Sequence, residues 1–273
     1  MLSDLTASFT TSLAPAHRAL GYLDETLDMR RRARINREAW RPHLDNSRQF
    51  VLSSAHRCSN RDKIVILGSG LLLDVPLAEL SETFREVVLK DVVCLPEVRK
   101  QLTTYGNVTF VGHDVTGLAE RLHRNSRQGI IQLPDFAPSV AASDGASLVV
   151  SLNILSQLWV VPRAFIGRHL RQIDLEQVDD WCARIVERHY AWLRSLPCDV
   201  CLIADHEAVK RDVTGIVISR TSTVFGLQLP QADVSWTWDI APIGKQNPHA
   251  SKELIVGAWN FRPAEAALRS TVA

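Results

Sequence analysis

Hydrophobic positions fall into two regimes along the chain. Before about Arg61 they recur at helical intervals: Leu20, Leu23 and Leu27 stand at i, i+3 and i+7 in a polar, Arg-rich stretch, the spacing of one face of an amphipathic helix. Trp40 and Leu44 repeat the four-residue step, and Pro42 suits the first turn of a new helix. From Asp62 the apolar residues come instead in short, nearly continuous runs, the mark of strands buried on both faces. Lys63-Ile64-Val65-Ile66-Leu67 is the first, and runs at 86–90, 108–111, 147–152 and 200–203 follow. Helix-forming stretches at 76–84, 96–105 and 176–196 lie between most of them. Strands alternating with helices predict an α/β fold with a doubly wound, mostly parallel sheet. The last part alternates apolar and polar residues over 234–240, passes a Gly/Pro/Asn loop and returns over 253–261. That pattern predicts a C-terminal antiparallel hairpin closing a seven-stranded sheet. The expected organisation is an N-terminal helical extension over 1–61, either a cap or a packing element, and one α/β domain over 62–273.

Composition permits this fold and narrows the partners. Over 273 residues, 46% are hydrophobic and 22% charged, near globular averages. A net charge of +1 gives no reason to expect nucleic acid or an anionic membrane as the main partner. No apolar run approaches the roughly 18 residues of a membrane span. The first residues lack a basic start followed by an apolar stretch, and Asp4, Asp24, Glu25 and Asp28 are unlike an organelle transit peptide. A cytoplasmic protein is expected. Five cysteines, an odd count, read as reduced thiols. Cys198 and Cys201 form a C-x-x-C, but Cys201 opens the apolar run Cys201-Leu202-Ile203-Ala204, a strand rather than the helix start that activates a redox thiol. No second Cys/His pair stands at zinc spacing, so no metal is expected.

In an open parallel sheet, ligands gather at the carboxyl ends of the strands. The first strand is followed by Gly68-Ser69-Gly70-Leu71-Leu72-Leu73-Asp74, where glycine lets the backbone turn tightly and approach a ligand. The second is followed by Asp91, 23 positions beyond Gly68, placed to accept the hydroxyl protons of a ribose. The third is followed by His113-Asp114. Each acid alone also suits a solvated loop or a helix cap. Leu73 stands where a dinucleotide fingerprint needs its third glycine, and no Tyr-x-x-x-Lys pair is present; both count against an NAD(P)-dependent oxidoreductase.

This order of strands, glycine loop and acids, closed by a hairpin, resembles the class I S-adenosylmethionine (SAM)-dependent methyltransferases over roughly residues 61–261. The resemblance implies SAM as cofactor. Gly68, Ser69 and Gly70 would pass beside its methionine part, Asp91 would bind the ribose, and Asp114 would approach the adenine amino group with Val115 alongside. Ser151 and Asn153 would border both cofactor and acceptor, with Ser156-Gln157 beyond them. Two positions depart from the family pattern. Ile66 stands where an acid is usual, and Leu72 where a third glycine is usual. The Asp/Asn-Pro-Pro-aromatic segment of base methylation is replaced by Asn153-Ile154-Leu155-Ser156, so the expected acceptor is a small molecule or a protein side chain.

Methyl transfer needs alignment of the acceptor and, for some acceptors, removal of a proton. Asp205-His206-Glu207, just past the fifth apolar run, offers Asp205 or His206 as general base; the same three residues also suit a helix cap. Asn153 would hold the acceptor. Trp40, Arg41, Pro42 and His43 are placed to roof the pocket, though Trp40 also suits a packing anchor. Trp236 and Trp238 share one strand face and read as core, and Arg30, Arg31, Arg32 and Arg34 as a solvated helix face. A catalytically silent SAM- or nucleoside-binding module, or an assembly module, of the same fold is the second reading.

Overall fold

The computed structural model describes residues 10–136, 143 and 145–263; the first nine and last ten residues of the predicted extension and domain lie outside them. Eight strands form one sheet: β1 Lys63–Leu67, β2 Glu86–Asp91, β3 Val108–Gly112, β4 Leu148–Leu152, β5 Asp199–Asp212, β6 Val217–Ser222, β7 Val234–Ala241 and β8 Ala250–Phe261. Their order is β3-β2-β1-β4-β5-β8-β7, with β6 pairing a further edge of β5. The first five are parallel, while β6, β7 and β8 run antiparallel to their partners. Among the described residues these helices accompany them: α1 Pro15–Leu20, α2 Tyr22–Ile35, α3 Arg37–Arg57, α4 Leu77–Thr83, α5 Pro96–Leu102, α6 Ala119–Gln128, α7 Val160–His169 and α8 Leu175–Ser195. The doubly wound α/β sheet with a closing antiparallel hairpin is present, and β6 is an eighth strand beyond the seven expected.

The two-residue period of the strands sorts their side chains onto two cores. In β1, Ile64 and Ile66 join Trp40, Phe50, Val51, Leu80 and Val98 from α3, α4 and α5. Val65 and Leu67 face the other way, onto Leu122, Phe165, Ile185 and Leu193 from α6, α7 and α8. All four apolar side chains of β1 are at most 1% exposed, each contributing about 1.5–3 kcal/mol over an exposed position.

Two local readings change. The helix holding Trp40 begins at Arg37, so Pro42 is its sixth residue rather than in its first turn. Trp40 offsets the missing N–H: it is 1% exposed, donates from Nε1 to the Ile240 carbonyl of β7 at 3.0 Å, and meets Trp238 edge-on. The fifth strand does not end at Ile203 but continues to Asp212. Its second half is paired by β8 on one side and by β6 on the other, which satisfies the backbone of a polar stretch that reads as a helix start. Among the described residues no helix is long and apolar enough to cross a membrane.

Candidate functional site

The strand ends of β1, β2, β3 and β4 open into a cleft of about 740 Å³, roofed by α2 and α3 and continued along β5, β7 and β8. Its first wall is the glycine loop. Gly68, Gly70 and Leu72 have φ of +82°, +47° and +59°. The backbone therefore keeps the left-handed turn at the position where the resemblance leads one to expect a glycine, although Leu72 supplies it at a steric cost. A Cβ on Gly68 would lie 2.0 Å from Ile154 Cγ2, whereas one on Gly70 would meet nothing closer than 4.0 Å. Gly68 is thus required by packing, and Gly70 leaves open space toward the cleft. Ile66 is fully buried in the apolar core.

Asp91 braces this loop. Its Oδ2 accepts from the Gly70 N–H at 2.8 Å and its Oδ1 from the Val92 N–H at 2.7 Å. Burial pushes its carboxyl up, and those backbone donors oppose the shift. The Val93 N–H also reaches Oδ1, at 3.4 Å; a carboxylate has about four lone-pair sites, so one, on Oδ2, remains for a ligand. Asp114 is more occupied: Oδ1 takes Thr116 N and Oγ1 at 2.9 and 2.6 Å, and Oδ2 takes the Ala119 N–H of α6 at 3.1 Å. Burial would raise its pKa, but hydrogen bonds from His17, Thr116 and the Ala119 backbone hold it below the usual range. It therefore caps α6 while lining the cleft with Val115. The Ser69 hydroxyl and His113 Nε2 are buried without a hydrogen-bond partner, both beside this end of the cleft.

A second group centres on Asn153, whose φ of +54° turns it off the end of β4. Its Nδ2 donates to Asp74 Oδ2 at 2.8 Å, and its Oδ1 is buried with no donor. Asp74 is pushed up by burial, an effect opposed by that Asn153 bond. His43 lies beside them: its Nδ1 accepts from Trp236 Nε1 at 3.0 Å, and its ring stacks on Trp238 with centroids 3.8 Å apart. Burial lowers the His43 pKa to about 3, so the ring is neutral and its remaining proton sits on Nε2, 3.4 Å from the Asn153 side-chain amide. Trp236 and Trp238 thus pack, as their shared face suggests, and also orient a cleft histidine.

The remaining residues separate. Asp205 faces the cleft, is 2% exposed and accepts from Ser156 Oγ at 2.6 Å; burial pushes its carboxyl up, against hydrogen bonds from Ser156 and Thr223. His206 takes the extra position of a bulge between Asp205 and Glu207, which turns it off the cleft wall and toward Trp259. No helix follows these residues, so they cap none. Ser151 is fully buried, and its hydroxyl bonds His189 Nε2 at 3.1 Å, away from the cleft lining. Asp74, Tyr22, Lys210 and Lys252, given no role from sequence, also line the cleft. Asp74, six residues after Gly68 in the same loop, carried the only usable signal. Of the arginine run, Arg31 pairs with Asp28 at 3.0 Å, while Arg32 pairs with Glu25 and both reach the cleft.

The cysteines take no part. All five are buried, and burial pushes Cys198 up to about 11 and Cys201 up to about 12. Ellman's reagent is expected to find almost no reactive thiol in the native protein and five after denaturation. Rapid native reaction at either C-x-x-C position would contradict this burial. Among the described residues no three His, Cys, Asp or Glu side chains converge as a metal site.

No family model and no curated protein matches the sequence. Among solved structures, one similar to this chain is the Burkholderia thailandensis 1,6-didemethyltoxoflavin-N1-methyltransferase with bound 1,6-didemethyltoxoflavin and S-adenosylhomocysteine. It has 14% identity and a TM-score of 0.40, over 90% of this chain and 91% of that one. Another is the N-methyltransferase NodS from Bradyrhizobium japonicum WM9 with S-adenosylhomocysteine, at 9% identity and TM-score 0.35, over 81% and 88%. A third is a DhpI–S-adenosylhomocysteine complex, at 14% identity and TM-score 0.31, over 85% and 95%. No residue role passes from these proteins to this chain. The strand order and closing hairpin give it a doubly wound, mostly parallel α/β sheet with a C-terminal antiparallel hairpin.

Proposed function

We propose that this protein is a SAM-dependent methyltransferase acting on a small molecule. The observation that carries the reading is the arrangement around the glycine loop. Asp91 braces Gly70 with a lone pair to spare, and Ser69 Oγ and Asn153 Oδ1 are buried without partners in the same cleft. A buried polar atom without a partner costs about 1–3 kcal/mol, so these atoms fit a ligand that bonds them. Asp91 would accept a ribose hydroxyl, and Asp74 with Asn153 Oδ1 would accept the ammonium of the methionine part. The carboxylates Asp74, Asp91 and Asp114 give this end of the cleft the sign that suits a cation.

When bound, SAM would supply an electrophilic methyl on a sulfonium. The protein's part is to align the acceptor and to exclude water. Trp238 and Trp40 provide apolar walls, and the neutral His43 sets its Nε2 against the Asn153 amide. Asp205 is the group placed to take a proton: its buried carboxylate binds one more readily than an exposed one, and Ser156 fixes its orientation. His206, turned off the wall, has no part in this reading.

Calorimetry with SAM, S-adenosylhomocysteine and NADH tests it. Binding of both adenosyl compounds and not NADH is expected; no heat with either adenosyl compound overturns the reading. Once an acceptor is found, Asp205→Asn is expected to lower kcat by about 10²–10⁴-fold, the usual range for a general base, with S-adenosylhomocysteine affinity unchanged. An unaltered kcat would remove Asp205 from proton transfer.

A further inference from the structure

The other end of the cleft has the opposite sign. Lys210 of β5 and Lys252 of β8 are directly opposed across their antiparallel pair, which places both side chains on one face about 5 Å apart at Cβ. That face is the cleft wall, since both residues line it together with Ala208 and Leu254, the next opposed pair. Like charges opposed in this way are destabilising. Lys210 is exposed and Lys252 half-buried, so solvent screens only part of that repulsion.

The acids nearby offset the repulsion incompletely. Glu25 is taken up by Arg32 of α2, which overhangs the same region. Asp205 is held by Ser156 on the inner side of the lysines. Lys252 feels Asp205, but burial and repulsion from Lys210 and Arg32 still lower its pKa. Neither lysine has a carboxylate at ion-pair distance among the described residues. Three cations therefore face two acids, one of them already paired. Thr221 and Thr223 add hydroxyls to the same wall.

We infer that Lys210 and Lys252, assisted by Arg32, form a subsite for an anionic group of the methyl acceptor, a carboxylate or a phosphate. This deepens the methyltransferase reading and rests on it for the word acceptor; the anion site itself does not. An acceptor held by its anion at the lysines reaches past Asp205 toward the glycine loop, so that the charge-bearing end and the reacting end of the molecule are separated along the cleft. The cleft is then polarised: carboxylates at the cofactor end, ammonium groups at the acceptor end.

The test is the melting temperature of the full chain at constant ionic strength, titrated with inorganic phosphate, benzoate or the neutral benzamide. Each series is run with and without S-adenosylhomocysteine. At least one anion is expected to raise the melting temperature by on the order of 3 °C at tenfold excess over its Kd, and benzamide not at all. Lys210→Gln and Lys252→Gln are each expected to lose that rise while keeping the parent's melting temperature or exceeding it, since each removes the lysine–lysine repulsion. Phosphate acting alone assigns a phosphate ester, and benzoate acting alone a carboxylate. The inference is overturned if neither anion exceeds benzamide, or if the rise survives both substitutions. A missing response to S-adenosylhomocysteine counts against the cofactor reading instead, and leaves the anion result to stand or fall on the lysines.

Discussion

Asp91→Ala is expected to weaken S-adenosylhomocysteine binding by about 100-fold or more. The figure follows from a hydroxyl bond to a charged acceptor at the high end of about 1.5–3 kcal/mol, at about 1.4 kcal/mol per decade. A second loss adds to it. Asp91 Oδ2 holds the Gly70 N–H at 2.8 Å, and without it the loop loses the bond that fixes its distance from the end of β2. Asp91→Asn separates the contributions. It can still accept from Gly70 through its oxygen while presenting an amide where a carboxylate stood, so an intermediate loss is expected. Isothermal calorimetry measures both variants, and melting curves confirm that they fold. Binding within threefold of the parent in the alanine variant would show that no ribose is held at Asp91.

Gly68→Ala is expected to cost about 2–5 kcal/mol of stability whatever the ligand. The left-handed φ of +82° accounts for about 1–2 kcal/mol in a residue with a Cβ. Overpacking against Ile154 Cγ2 at 2.0 Å and the Leu152 carbonyl at 2.8 Å adds about 1–3 kcal/mol. Urea unfolding of a double-mutant cycle with Ile154→Ala tests the cause. The pair should be less unstable than the sum of the singles, because shortening Ile154 makes room for the new methyl. Additive losses, or a single-mutant cost below about 1 kcal/mol, would contradict the geometry around Gly68.

The strands β1, β2, β4 and the first half of β5 were legible because burial on both faces leaves few polar positions within them. β6 was not: every one of its six residues is exposed or half-exposed, and only pairing with the overlong β5 makes it a strand. The same pairing explains Asp205-His206-Glu207, whose polar character reads as a strand end when the neighbouring strands are unknown. α6 buries only Ala119 and Leu122, too few to mark a helix by spacing. In the cleft, residues just after strands were foreseeable because the sheet itself places them there. Side-chain direction was not: the bulge that turns His206 away and the inward turn of Ser151 to His189 depend on contacts 38 or more residues distant. Lys210 and Lys252 come together only through the tertiary fold, and no local pattern announces them.

The bond from Trp40 to Ile240 spans 200 residues, and this has a consequence for how the protein is made. Trp40 leaves the ribosome early, and at about 5–20 residues per second its partner strand follows some 10–40 s later. Throughout that interval the indole, and the helix that a mid-sequence proline weakens, lack the edge that completes them. Between the synthesis of Trp40 and that of Ile240 the newborn chain therefore carries an unfinished apolar surface, a foothold for a chaperone.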